Sequence, residues 1–132
     1  MELNNKFSKQ EKLKSRKTID LLFSKGRSIN NGPVRVVFLA KENLSGSLVN
    51  TGFSVPKKNI KLAVNRNLLK RRMREAYRLN NHKFKYALTQ NKKGLDIMFI
   101  YTSKQICTYK EIEDKIKVIL TRLIELSEMV GE

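Results

Sequence analysis

The chain has 132 residues, 40% of them hydrophobic, and a formal net charge of +16 from 28 Lys and Arg against 12 Asp and Glu. That length suits a single domain, residues 1–132, and so large a positive charge calls for an anionic partner, nucleic acid before membrane surface. The lone Cys107 excludes a disulfide framework and a cysteine zinc site. No run approaches the roughly 18 apolar residues of a membrane span, and the lysine-rich start lacks the apolar core of a signal peptide. The expectation is a soluble, cytoplasmic protein without a membrane partner.

Residues 1–14 are polar and basic and read as a flexible arm. Ser15 suits the cap of a first helix, in which Ile19, Leu22 and Phe23 share an apolar face and which Gly26 ends. Asn31-Gly32-Pro33 signals a turn. Val34–Ala40 follows as a strand with Val34, Val36 and Phe38 on one face and Arg35, Val37 and Leu39 on the other. Leu48–Val55 reads as a second strand, adjacent and antiparallel to the first, stopped by Pro56.

Residues 61–79 have helical spacing, with Leu62, Leu69, Met73 and Ala76 as the apolar positions. Residues 80–91 are polar and define no element. Leu95–Tyr101 is apolar on both faces except at Asp96, as a central strand is. Thr108-Tyr109-Lys110-Glu111 has the form of a capping box opening a last helix, striped by Ile112, Ile116, Ile119, Leu120 and Leu123. The fold class expected is α+β, a two-layer sandwich of a small sheet with packed helices.

The charge is unevenly placed. Residues 52–78 carry nine cations (Lys57, Lys58, Lys61, Arg66, Lys70, Arg71, Arg72, Arg74 and Arg78) against Glu75 alone. Residues 111–132 hold six acids and three bases, which assigns that helix to another face. Solvated helices interleave the two signs, so nine to one indicates phosphate binding. No helix-turn-helix spacing, zinc-finger ligand set or heptad zipper is present, which favours RNA over DNA. A catalytic centre within the chain is not expected. Glu111, Glu113 and Asp114 suit a helix N-terminus, and His82 and Cys107 have no evident partner. A ribosomal or assembly protein, a protein-only nuclease and a DNA-binding module stay open as alternatives on residue patterns alone.

The segment Gly52-Phe53-Ser54-Val55-Pro56-Lys57-Lys58, with Arg66-Asn67-Leu68, Leu69-Lys70-Arg71 and Arg74-Glu75, resembles the signature of the bacterial ribonuclease P protein component. The resemblance implies an α-β sandwich with a left-handed β-α-β crossover around the basic helix. It implies a subunit that assists a catalytic RNA in removing the 5′ leader from precursor tRNA, with no catalytic residue of its own. Magnesium is then bound mainly by the RNA, with Asn67 contributing to a metal's outer shell, and no obligate protein partner is evident. Carried over, Arg66, Asn67, Lys70, Arg71 and Arg74 contact the catalytic RNA or organise metal near it, with Lys57 and Lys58 beside them; the charge pattern adds Lys61, Arg72 and Arg78 to the RNA-binding set. Ile19, Phe23 and Phe38 line a leader-binding cleft. The family's third box residue, an Arg, is Leu68 here, and Arg72, one turn on, is expected to replace its charge.

Overall fold

The computed structural model describes residues 16–41 and 48–130. The predicted arm at 1–14 and the cap at Ser15 lie outside the described residues. In chain order the elements are α1 (Arg16–Lys25), β1 (Arg27–Asn31), β2 (Val34–Ala40), β3 (Val49–Ser54), α2 (Ala63–Asn80), α3 (His82–Gln90), β4 (Leu95–Tyr101) and α4 (Tyr109–Val130). The strands form one sheet in the order β1-β2-β4-β3.

Gly26 lets α1 turn directly into β1. A Cβ there would stand 2.3 Å from the Leu22 carbonyl oxygen and 2.9 Å from Val37 Cγ1, so only glycine fits. β1 and β2 then make a hairpin about Gly32, whose φ of 62° is the left-handed conformation that glycine adopts freely. The polar run of β1 hid this edge strand in the sequence: most of its side chains are exposed, so no apolar alternation marks it.

β4 is central, as its two-sided apolar character predicts. It pairs antiparallel with β2 (Val36 opposite Phe99) and parallel with β3 (Phe53 opposite Phe99). The expected adjacency of β2 and β3 is therefore corrected: β4 inserts between them. A parallel partner requires a long crossover, and α2 with α3 supplies it. The stretch at 80–91, in which the polar sequence defines no element, contains the helix α3, anchored by buried Phe84 and Leu88 one turn apart.

The two faces of the sheet are unequal. On one, Val34, Val36, Phe38, Ile97, Phe99 and Tyr101 meet buried residues of α2, α3 and α4 in a continuous core. All five predicted stripe residues of α4 are buried there. Its capping box forms reciprocally: the Thr108 N–H donates to Glu111 Oε1 at 3.0 Å and the Glu111 N–H to Thr108 Oγ1 at 3.2 Å. On the other face, α1 covers only a small cluster of Leu22, Val37 and Met98, flanked by Ile19, Leu39 and Ile100. No described helix is long and apolar enough to cross a membrane.

Candidate nucleic-acid interface

The basic helix is aimed by its buried side. Leu69, Met73, Ala76 and Tyr77 are buried along one flank of α2. Tyr77 packs against Phe53 at 6.0 Å and Phe99 at 5.6 Å between ring centroids, and Phe53 stacks on Phe99 at 5.6 Å. Thr51 Oγ1 donates to the Tyr77 hydroxyl at 3.1 Å. Phe53, within the Gly52–Lys58 motif, is thus the strand-side half of an aromatic clasp that fixes the rotation of α2. With that flank held, Asn67, Arg71 and Arg74 are exposed on the far side and Lys70 is half-buried beside them. Leu62, expected on the apolar side, is instead 63% exposed, because it precedes the first turn and caps the helix with extended backbone.

The loop before α2 presents Lys57, Lys58 and Lys61, all exposed. Buried Val55 and Ile60 pin its two ends. The Asn59 side-chain amide donates to the Tyr101 carbonyl at 3.1 Å, and the N–H groups of Asn59 and Ile60 donate to the Pro56 carbonyl. The two lysines stand at the tip of a rigid turn next to the helix start, where exposed backbone N–H groups add positive potential.

Three cations of the predicted set also hold the fold. Arg66 Nη1 donates to the carbonyls of Ile60 at 3.0 Å and Lys61 at 2.6 Å, clamping the loop to the helix. Arg72 is half-buried and donates to the Cys107 carbonyl, tying α2 to the loop after β4. Arg72 lies one turn after Leu68 as expected, but its guanidinium is turned onto that carbonyl rather than presented as a free charge. Arg78 forms a two-pronged ion pair with Glu75. Hydrogen bonding to Arg78 holds the Glu75 carboxyl below its ordinary range. Fully outward polar groups of α2 are therefore Asn67, Arg71 and Arg74, a subset that helical spacing alone did not separate.

The structure divides the predicted cleft residues. Ile19 is half-buried under α1, and Phe23 projects from the same helix, 53% exposed, so ordinary core packing does not account for it. Phe38 is not in that cleft. It is 7% exposed on the opposite face of the sheet, within the main core and beneath the Arg27 guanidinium at 5.7 Å. The physical reason is strand alternation: Phe38 shares parity with Val36 and Val34, whereas Val37 and Leu39 face α1.

On the α1 side, β3 contributes Asn50, Gly52 and Ser54, paired with Asp96, Met98 and Ile100 of β4. These three are half-buried, small or polar, and form a polar floor on the sheet face that α1 covers in part. Lys41 Nζ donates to Asn50 Oδ1 at 2.6 Å at one end of this floor. Burial raises the carboxyl pKa of neighbouring Asp96, partly countered by Lys41. Pairing side chains of β3 and β4 in this way could not be read before their register was known.

No group of three or more His, Cys, Asp or Glu side chains suited to a metal ion occurs among the described residues. The donor set on the outward face of α2 is one amide, Asn67, among cations, which fits the hydration shell of a metal held by another molecule and not direct ligation.

A small α+β protein with a clamped, outward-facing cationic helix and a partly uncovered opposite sheet face has the features of an RNA-binding subunit. The sequence pattern of the family described as Ribonuclease P matches residues 7–124. The chain is 32% identical over 116 residues to the ribonuclease P protein component of Porphyromonas gingivalis, covering 88% of this chain and 85% of that one. Its fold superposes on the ribonuclease P protein of Thermotoga maritima with a TM-score of 0.66 and 28% identity, over 85% of this chain and 96% of that one. The Staphylococcus aureus protein superposes with a TM-score of 0.67 and 23% identity, over 85% and 94% of the two chains. The chain belongs to the ribonuclease P protein family. The holoenzyme of that family is the endoribonuclease of tRNA 5′ maturation.

Proposed function

We propose that this chain acts in the cytoplasm as the protein subunit that docks on a catalytic RNA and steadies a 5′-extended precursor tRNA for cleavage. The observation that carries this reading is the outward set Lys57, Lys58, Lys61, Asn67, Arg71 and Arg74, held in one orientation by the Phe53–Tyr77–Phe99 clasp. Cations on a backbone already held in place neutralise phosphates without that backbone first losing freedom, which strengthens binding at a given charge. Arg66 and Lys70 flank that set. Arg72 and Arg78 contribute to the local potential from positions already engaged within the fold.

The groove between α1 and the β3 strip suits single-stranded leader. Phe23 offers a face for a base, Ile19 an apolar edge, and Asn50 and Ser54 polar groups along the floor. Magnesium, held mainly by the RNA partner, supplies the activated water of phosphodiester hydrolysis. The amide of Asn67 would reach that metal through its water shell, and the chain's cations draw the two RNAs together. No residue of the chain attacks the phosphate.

The test is cleavage of a precursor tRNA at low magnesium by the protein alone, a bacterial ribonuclease P RNA alone, and both together. Activity is expected only from the pair. Cleavage by the protein alone, or an RNA activity indifferent to the protein, would overturn the reading.

A further inference from the structure

The helix that the sequence concealed carries a second basic surface. Residues 82–94 hold four lysines and no acid. With Phe84 and Leu88 buried, α3 turns Lys83 and Tyr86 outward, three residues apart and therefore neighbours on one ridge. Tyr86 is 67% exposed, a large fraction for an aromatic ring that has core available within the same helix. Beside Lys83 runs a groove of about 390 Å³ between the α2–α3 junction and α4, with Leu79 and Thr121 in its walls and Lys117 across from Lys83. The groove lining contains no carboxylate. Glu113, one turn earlier on α4, is bonded to Asn80 and Tyr109 and also acts on Lys117, so Lys83 and Tyr86 are the stronger pair.

We infer that this α3 ridge is a second RNA contact, which takes an unpaired nucleotide by stacking its base on Tyr86 and its flanking phosphates on Lys83 and Lys117. A solvated helix needs neither an exposed ring among lysines nor the absence of acids. A stacking face with a cation beside it, next to a cation-lined groove, is what sequence-tolerant single-strand binding uses. The inference rests on the RNA-binding reading above but concerns a surface separate from the outward face of α2. The nucleotide belongs either to the catalytic RNA or to the precursor tRNA.

The experiment compares Tyr86→Ala, Tyr86→Phe and Lys83→Ala in the full chain, with Arg71→Ala as the α2 reference. Binding is measured to a bacterial ribonuclease P RNA and, with the assembled holoenzyme, to a 5′-extended precursor tRNA, over a salt series. Tyr86→Ala is expected to weaken one of these about 5- to 150-fold, the range for losing one stacked base. Tyr86→Phe retains affinity. Lys83→Ala lowers the slope of log affinity against log salt by about 0.7. All variants keep the parent's melting temperature, since both side chains are exposed. The RNA that shows the loss identifies the source of the nucleotide. Unchanged binding to both RNAs by Tyr86→Ala and Lys83→Ala overturns the inference, and if Arg71→Ala still weakens binding, the α2 reading survives it. A loss with Tyr86→Ala but none with Arg71→Ala supports the α3 contact and removes the α2 assignment.

Discussion

The two faces of the sheet divide the work of the molecule. The face toward α2, α3 and α4 buries aromatic and aliphatic side chains from six elements and fixes the direction of the basic helix. The face toward α1 buries three residues and leaves Phe23 and a polar strip of β3 accessible. One face is closed because stability comes from apolar area removed from water. The other is covered only by α1, which leaves room for the leader groove proposed above. The same division recurs within α2: Arg66 and Arg72 bind carbonyls of the fold, whereas Arg71 and Arg74 face outward.

The largest expected effect sharpens the contrast between faces. Phe99→Ala removes the centre of the aromatic clasp and is expected to cost about 3–5 kcal/mol. Leu22→Ala, in α1, is expected to cost about 2 kcal/mol, at the low end for such changes, because the cluster it fills is small and a single overlying helix can settle into the space. Urea unfolding of the two variants measures both. Equal losses would break the asymmetry.

Next comes the contrast within α2. Arg72→Ala is expected to lower stability by about 1.5–3 kcal/mol by stripping the charged donor from the Cys107 carbonyl. Arg71→Ala is expected to leave stability within about 0.5 kcal/mol and to weaken RNA binding. Thermal melts and RNA titrations of the same preparations separate the two roles. Arg71→Ala destabilising the fold as much as Arg72→Ala would erase the distinction.

Alkali tests the closed face through Tyr101 and Tyr109, both pushed up to about 12, chiefly by burial. Tyr101 donates to the Gln105 carbonyl and accepts from the Cys107 N–H, so its neutral form is the one that fits. A raised pKa means that the folded state retains its proton longer than the unfolded chain. This contribution is complete below pH 10, the ordinary tyrosine value, and is lost as pH rises through about 12. Unfolding midpoints measured across that window are expected to fall, and less steeply for Tyr101→Phe.

The smallest effect on stability belongs to the open face. Phe23→Ala is expected to change folding by about 0.5 kcal/mol or less, as an exposed position does, while lowering affinity for a leader-bearing precursor tRNA. Equal affinity for precursor and mature tRNA in parent and variant alike would remove Phe23 from the groove.

The residue pattern by itself determined what depends on local periodicity and on charge. The apolar stripe of α4, its capping box, the strands at Val34–Ala40 and Leu95–Tyr101, and the cationic character of α2 were all legible, because helix and strand periods and charge density are properties of neighbours in the chain. The polar strand β1 and the helix α3 were not, since β1 leaves most of its side chains in water and α3 has only two anchoring residues. Tertiary structure alone decided the rest. Strand order placed β4 between β2 and β3 and so created the polar floor from residues far apart in sequence. Strand parity sent Phe38 into the closed core and away from Phe23. Packing of Tyr77 against Phe53 and Phe99 chose which arginines of α2 face outward and which brace the fold. Spacing shows which side chains share a stripe, but only the contacts made across the core determine where that stripe points.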